Sequence, residues 1–166
     1  MDRPGGDSEY ELDDIDRGVL YALQQDARNA TAQSMAEQLG VSASTVRNRI
    51  GKLETAGVIQ GYRPVVDYER AGHPLRLLFV GTAPDDDREA VADAASRVDG
   101  VVTVSEMLPS ERNLRIEVAT RDVAELRRVA DSLADVGVRL GDVDVVLATH
   151  SQPFGPFEFE RGRVDE

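Results

Sequence analysis

Apolar residues change their period along this chain, and the changes divide it. Leu12, Ile15, Val19, Leu20 and Leu23 recur at three- and four-residue steps, the spacing of one helical face. Asp13 and Asp14 stand in the first turn, where the helix dipole favours acids, and Arg28-Asn29-Ala30 ends the run. Thr31 is a good N-cap for a short second helix, TAQSMAEQLG, which Gly40 closes. Ser42 caps a third helix from about Ala43 to Thr55, stopping at Gly57. Three helices so closely spaced predict a compact trihelical unit.

After Gly57 the period becomes two. Val58, Ile59 and Tyr62, then Val65 and Val66 beyond a proline, predict a strand and linker ending near Ala71-Gly72-His73-Pro74. A second unit follows. LRLLFVGTA, VVTVSEML, NLRIEVAT and VRLGDVDVVLA read as strands, with Leu114, Ile116 and Val118 alternating with polar residues. Two helices are interleaved with them, one striped by Val91, Ala95 and Val98, the other by Val123, Leu126, Ala130 and Leu133. The order β-α-β-β-α-β is that of the ferredoxin-like split βαβ unit, an antiparallel sheet backed by two helices on one face. The expected class is α+β. Its expected divisions are a loose arm at 1–11, a helix-turn-helix at 12–60, a strand-bearing linker at 61–74, the ferredoxin-like unit at 75–150 and an extension at 151–166. In the extension, the spacing of Phe154, Phe157 and Phe159 leaves open whether they add a strand across a dimer or stay mobile.

Within the trihelical unit, Ala36, Gly40 and Val46 have the spacing of a helix-turn-helix. A small residue lets the helices approach, glycine takes the tight turn, and a β-branched residue plugs the core. Two amphipathic helices of an ordinary bundle would also use alanine and glycine, so the outward face of the third helix matters more. Val46, Ile50 and Leu53 form its buried stripe; Ser44, Asn48 and Lys52 fall opposite, Thr45 beside them, and Arg47 and Arg49 on the flanks. Asparagine can pair bidentately with adenine, Ser and Thr bond tolerantly to bases, and arginine reaches guanine or phosphate.

Charge sharpens this reading. The 166 residues carry 31 acids against 19 bases, a net charge of -12, and the lone lysine is Lys52. Yet residues 31–64 hold four cations (Arg47, Arg49, Lys52, Arg63) against two acids, Glu37 and Glu54. A polyanion is approached through a locally positive surface, whatever charge the rest of the molecule carries. Acidity with arginine in place of lysine also fits a halophilic protein, kept dispersed by self-repulsion; an acidic mesophilic protein is the alternative.

The stretch LDDIDRGVLYALQQDARNATAQSMAEQLGVSASTVRNRIGKLETAGVIQGYRPVVD resembles the N-terminal half of the leucine-responsive/asparagine regulator (Lrp/AsnC) family. The agreement is concentrated between Leu12 and Asp67; the second half agrees in element order. The resemblance implies a winged helix-turn-helix joined by a linker to a ferredoxin-like effector and assembly domain. It further implies homodimers that assemble into tetramers or octamers, double-stranded DNA as partner, and an amino-acid-like effector. By position, Ser42, Ser44, Thr45, Arg47, Asn48 and Arg49 become the DNA-facing residues, and the charge pattern adds Lys52 and Arg63. In the turn between the middle strands, where relatives that bind amino acids commonly show Gly-x-Tyr-Asp, this chain has Ser110-Glu111-Arg112-Asn113. Asn113 offers a neutral amide in place of a carboxylate. Ser110, Arg112, Asn113 and Arg115 are the candidate effector residues: either the ligand differs, with Arg112 and Arg115 suiting an anion, or nothing is sensed here and these are ordinary surface arginines.

Catalysis and cofactors find little support. There is no cysteine, His73 and His150 lie apart, and no nucleophile-histidine-acid set or phosphate loop occurs. Asp85-Asp86-Asp87 reads as the acidic start of a helix rather than as a cation site. Every apolar run is broken well short of the roughly 20 residues that span a bilayer, so a cytoplasmic protein is expected. A ligand-binding oligomeric sensor and a sequence-tolerant architectural DNA protein are the competing readings.

Overall fold

The computed structural model describes residues 10–108 and 111–157. Two compact units emerge. One comprises the described residues of Met1–Pro64 and His150–Glu166, the other Val65–Thr149.

The first unit is built from helices α1 (Asp14–Asp26), α2 (Ala32–Leu39) and α3 (Ala43–Thr55). Each begins on a side-chain cap. Asp13 accepts from the Asp16 amide, Thr31 from that of Ser34 and Ser42 from that of Thr45, satisfying donors that a helix start leaves unpaired. Gly40 adopts φ 69°, a left-handed conformation that lets the chain turn sharply from α2 into α3. Val19, Leu20, Met35, Ala36, Leu39, Val46 and Leu53 form the buried core, and each larger one contributes on the order of 1.5–3 kcal/mol by leaving water.

The expected strand beyond α3 does not form. Val58 and Ile59 both donate their amides to the Leu53 carbonyl, at 2.9 and 3.1 Å, and so finish α3 instead of opening a ladder. Residues 60–67 carry no helix or strand, and Val65 is fully exposed. Alternating apolar residues become a strand only when another strand supplies hydrogen bonds, and among the described residues none does so.

The second unit contains β1 (Leu75–Thr82), α4 (Arg88–Ser96), β2 (Val101–Glu106), β3 (Leu114–Thr120), α5 (Val123–Asp135) and β4 (Arg139–Val145). The sheet order is β2-β3-β1-β4, and every neighbouring pair is antiparallel. Phe79 is paired with both Ile116 and Val143, and Val104 also lies opposite Ile116. Phe79, Leu114, Ile116 and Val118 pack with Ala92 and Ala95 of α4 and Val129 and Leu133 of α5. Val123, expected on the buried stripe of α5, is exposed instead, because it occupies the first turn beyond the reach of the sheet core. Asp85–Asp87 forms a 3-10 turn leading into α4, with no capping bond from the Asp87 side chain. The acids thus sit where the dipole favours them without capping the helix. Among the described residues no group of His, Cys, Asp and Glu is arranged to hold a metal ion.

After β4 the chain returns to the first unit. Phe154 and Phe157 meet edge to face, with ring centroids 4.9 Å apart, around a 3-10 turn at Gly155–Phe157. They form no added strand: the turn lays Phe157 against the helical core and leaves Phe154 55% exposed. Phe159 lies outside the described residues.

Candidate nucleic-acid interface

The site is the exposed side of α3. Ser44, Asn48 and Lys52, spaced four residues apart, are all exposed, while Val46 and Leu53 are fully buried. Spacing by four keeps side chains on one face of a helix. Arg47 is exposed beside this row, and Arg63 is exposed in the segment after α3. Neither they nor Lys52 have an acid partner among the described residues. Glu54, the acid nearest Lys52 in sequence, accepts a hydrogen bond from Tyr62 Oη at 3.0 Å. Burial, and then the Glu54 carboxylate, push the Tyr62 hydroxyl above its ordinary pKa, so the donor stays protonated.

The N-terminus of α3 is a hydroxyl cluster. Ser42 Oγ lies 2.8 Å from both Ser44 Oγ and Thr45 Oγ1 and accepts the Thr45 amide at 3.1 Å. Ser42 therefore acts first as the cap that starts the helix, and Thr45 is half-buried beside it. Ser44 is exposed to solvent while sharing its hydroxyl with Ser42. A helix start of this kind offers hydroxyls and amides to an anion at the positive end of the dipole.

Arg49 is placed differently from the expected DNA-facing set. Its Nη1 lies 2.7 Å from Asp13 Oδ2 and 3.3 Å from Asp16 Oδ2, and the Asp16 side chain is wholly buried. Tyr10 Oη donates to the same Asp16 oxygen at 3.1 Å. A carboxylate removed from water requires a charged or hydrogen-bonding partner, and Arg49 supplies it from across the helix pair. Arg49 is held protonated more firmly than usual, first by its hydrogen bond with Tyr10 and then by Asp16 and Asp13, which outweigh its burial. Burial pushes the Asp13 carboxyl up, but the Asp16 amide and Arg49 together bring it below its ordinary value. Arg49 thus fastens α3 to α1. Nothing in the local pattern of α1 marks Asp16 as buried, since an acid in a first turn reads as exposed.

The candidate effector residues are dispersed. Ser110 lies outside the described residues. Arg112, at φ 60°, reaches Asp142 Oδ2 at 2.5 Å. Asn113 is fully buried: its Oδ1 accepts the Ala83 amide and its Nδ2 donates to the Ala83 carbonyl, both at 2.9 Å. The amide expected to greet a ligand instead pins the end of β1 to the start of β3. Arg115 is exposed on β3, opposite Val80 and Ser105 in the two ladders.

Capped helices meeting at a left-handed glycine, and a polar, cation-bearing outer helix face, define a helix-turn-helix DNA-binding unit, here followed by a four-stranded antiparallel α+β unit. Residues 12–60 match the family model described as winged helix-turn-helix DNA-binding. The chain is 39% identical over 93 residues to the transcriptional regulator LrpA of Mycobacterium tuberculosis, covering 56% of this chain and 60% of that protein. It is 41% identical over 86 residues to the leucine-responsive regulatory protein of Rhizobium meliloti, covering 51% and 54%. These alignments span little more than half of the relatives' lengths. The crystal structure of the leucine response regulatory protein of Mycobacterium tuberculosis superimposes over 86% of this chain and 97% of that one, with a TM-score of 0.71 and 26% identity. The proteins it is thus similar to are helix-turn-helix transcriptional regulators, among them leucine-responsive ones. No helix among the described residues is long and apolar enough to cross a membrane.

Proposed function

We propose that the chain is a sequence-specific transcriptional regulator that binds double-stranded DNA as a homodimer or a larger homo-oligomer. In this reading residues 12–60 bind DNA, 61–74 link, and 75–150 serve assembly and effector response. The observation that carries it is the exposed row Ser44, Asn48 and Lys52, flanked by Arg47, on a helix capped by Ser42. Seated in a major groove, Asn48 reads a base edge, while Arg47, Lys52 and Arg63 meet phosphates. Two such helices in a dimer address half-sites on the order of 34 Å apart, or multiples of that spacing. Modulation by an anionic small molecule belongs to the same reading. Arg115 is its best candidate contact, since Asn113 and Arg112 are held by Ala83 and Asp142.

The setting is a cytoplasm rich in salt, supported by 31 acids against a single lysine. Selection of bound fragments from random DNA at high potassium concentration tests the proposal. An enriched, roughly palindromic site supports it. Retention of all fragments without enrichment would replace it with an architectural role, and no retention with a sensor that does not bind DNA.

A further inference from the structure

We propose that residues 150–157 are a clasp, a docking element for α1 that holds the recognition helix in position. Four observations converge on it. The Phe154 amide donates to Gln24 Oε1 of α1 at 2.8 Å, a contact between residues 130 positions apart. Phe157 packs against the core of the helical unit, and Phe154 meets it edge to face at 4.9 Å. The Phe157 amide closes the turn on the Phe154 carbonyl at 2.9 Å, and Pro156 restricts the backbone between them. The segment clusters with the helical unit although it follows directly on the strand unit in sequence.

The small size of the helical unit explains why this contact matters. Among the described residues its core holds seven buried apolar side chains, none of them aromatic, and a unit of this size buries a limited fraction of its surface. Phe157 adds aromatic cover to this core, and Phe154, itself 55% exposed, holds it through a directional ring contact. The clasp grips α1 near its C-terminal end through Gln24. Near its other end, α1 carries the Asp16 carboxylate that holds Arg49 of α3. Fixing α1 therefore fixes α3, and the segment after β4 acts on the DNA-reading face without touching DNA. The clasp itself does not depend on DNA binding; its effect on affinity rests on the function proposed above.

The test compares the full chain, a Phe154→Ala/Phe157→Ala variant and Gln24→Ala by hydrogen exchange. In the double variant the α1 amides should exchange at least about tenfold faster, with a smaller effect in Gln24→Ala and unchanged β3 amides. Exchange of α1 within about twofold of the parent chain would overturn the clasp, as would equal acceleration in β3. Affinity for a selected DNA site should fall about tenfold in the double variant, with the same sequence preference. Faster α1 exchange with unchanged affinity would overturn the link to the recognition helix. If the parent chain bound no DNA while the exchange difference persisted, the clasp would stand and the regulator reading would fall.

Discussion

The guanidinium of Arg49 on α3 lies 3.3 Å from the carboxylate of Asp16 on α1, and the Asp16 side chain has no exposure to solvent. The pair joins α3 to the helix behind it. Removing one member of a buried pair strands the other charge, at a cost of about 3–5 kcal/mol. Arg49 retains 26% exposure and a second partner, Asp13, so Arg49→Ala should fall at the low end, about 3 kcal/mol. Chemical denaturation measures this directly. A loss of only a few tenths of a kcal/mol would show that Tyr10 and water suffice for Asp16.

Asn48 and Lys52 share a face but should differ in what they read. Asn48→Ala should broaden the selected site, costing about 1–3 kcal/mol at one base position. Lys52→Ala should weaken all sequences alike and reduce the slope of log affinity against log salt by about 1. Binding titrations over matched and mismatched sites at several salt concentrations separate the two. Identical specificity profiles would refute the division into base and phosphate contacts.

Asn113 fills a structural position. Asn113→Ala removes both partners of the buried Ala83 backbone and should destabilise the sheet unit by about 2 kcal/mol or more. Thermal unfolding reports the loss. A ligand-binding role would instead leave the melting temperature of the free protein nearly unchanged.

Glu125 carries the largest acid response. Arg121 Nε and Nη2 donate to its carboxylate at 3.1 and 3.2 Å, and the Arg121 amide donates at 2.7 Å. These bonds, the side-chain one foremost, lower the Glu125 pKa from 4.5 to about 2. Because the folded value is depressed, the pair's contribution is complete above the unfolded value and is lost as pH falls from 4.5 towards 2. Arg121→Ala should move the Glu125 midpoint upward, toward 4.5, as followed by carboxyl NMR. A midpoint left near 2 would assign the shift to the backbone amide alone.

Much of the candidate site was legible in the chain. The outward row of α3 follows from helical period, and Thr31, Gly40 and Ser42 mark helix ends by chemistry that acts within three or four residues. The alternation of Leu114, Ile116 and Val118 foretold β3 because a half-buried strand repeats every second residue. The same local logic misplaced residues 58–66, whose alternation promised a strand. Two of their amides cap α3 instead, and hydrogen-bond partners for the remainder are not encoded in the segment itself.

By itself, then, the sequence determined the helices and the four strands of the sheet, though not the fate of residues 58–66, together with where the helices start and which face of α3 carries bases and amides outward. These are properties of contiguous residues, decided by caps and periodicity. Tertiary structure alone decided that Arg49 turns to Asp16 across 33 positions, that Asn113 serves Ala83 across 30, and that Phe154 meets Gln24 across 130. A polar side chain of given type suits water, a ligand or a buried partner equally well. Only the packing that removes it from water selects among them.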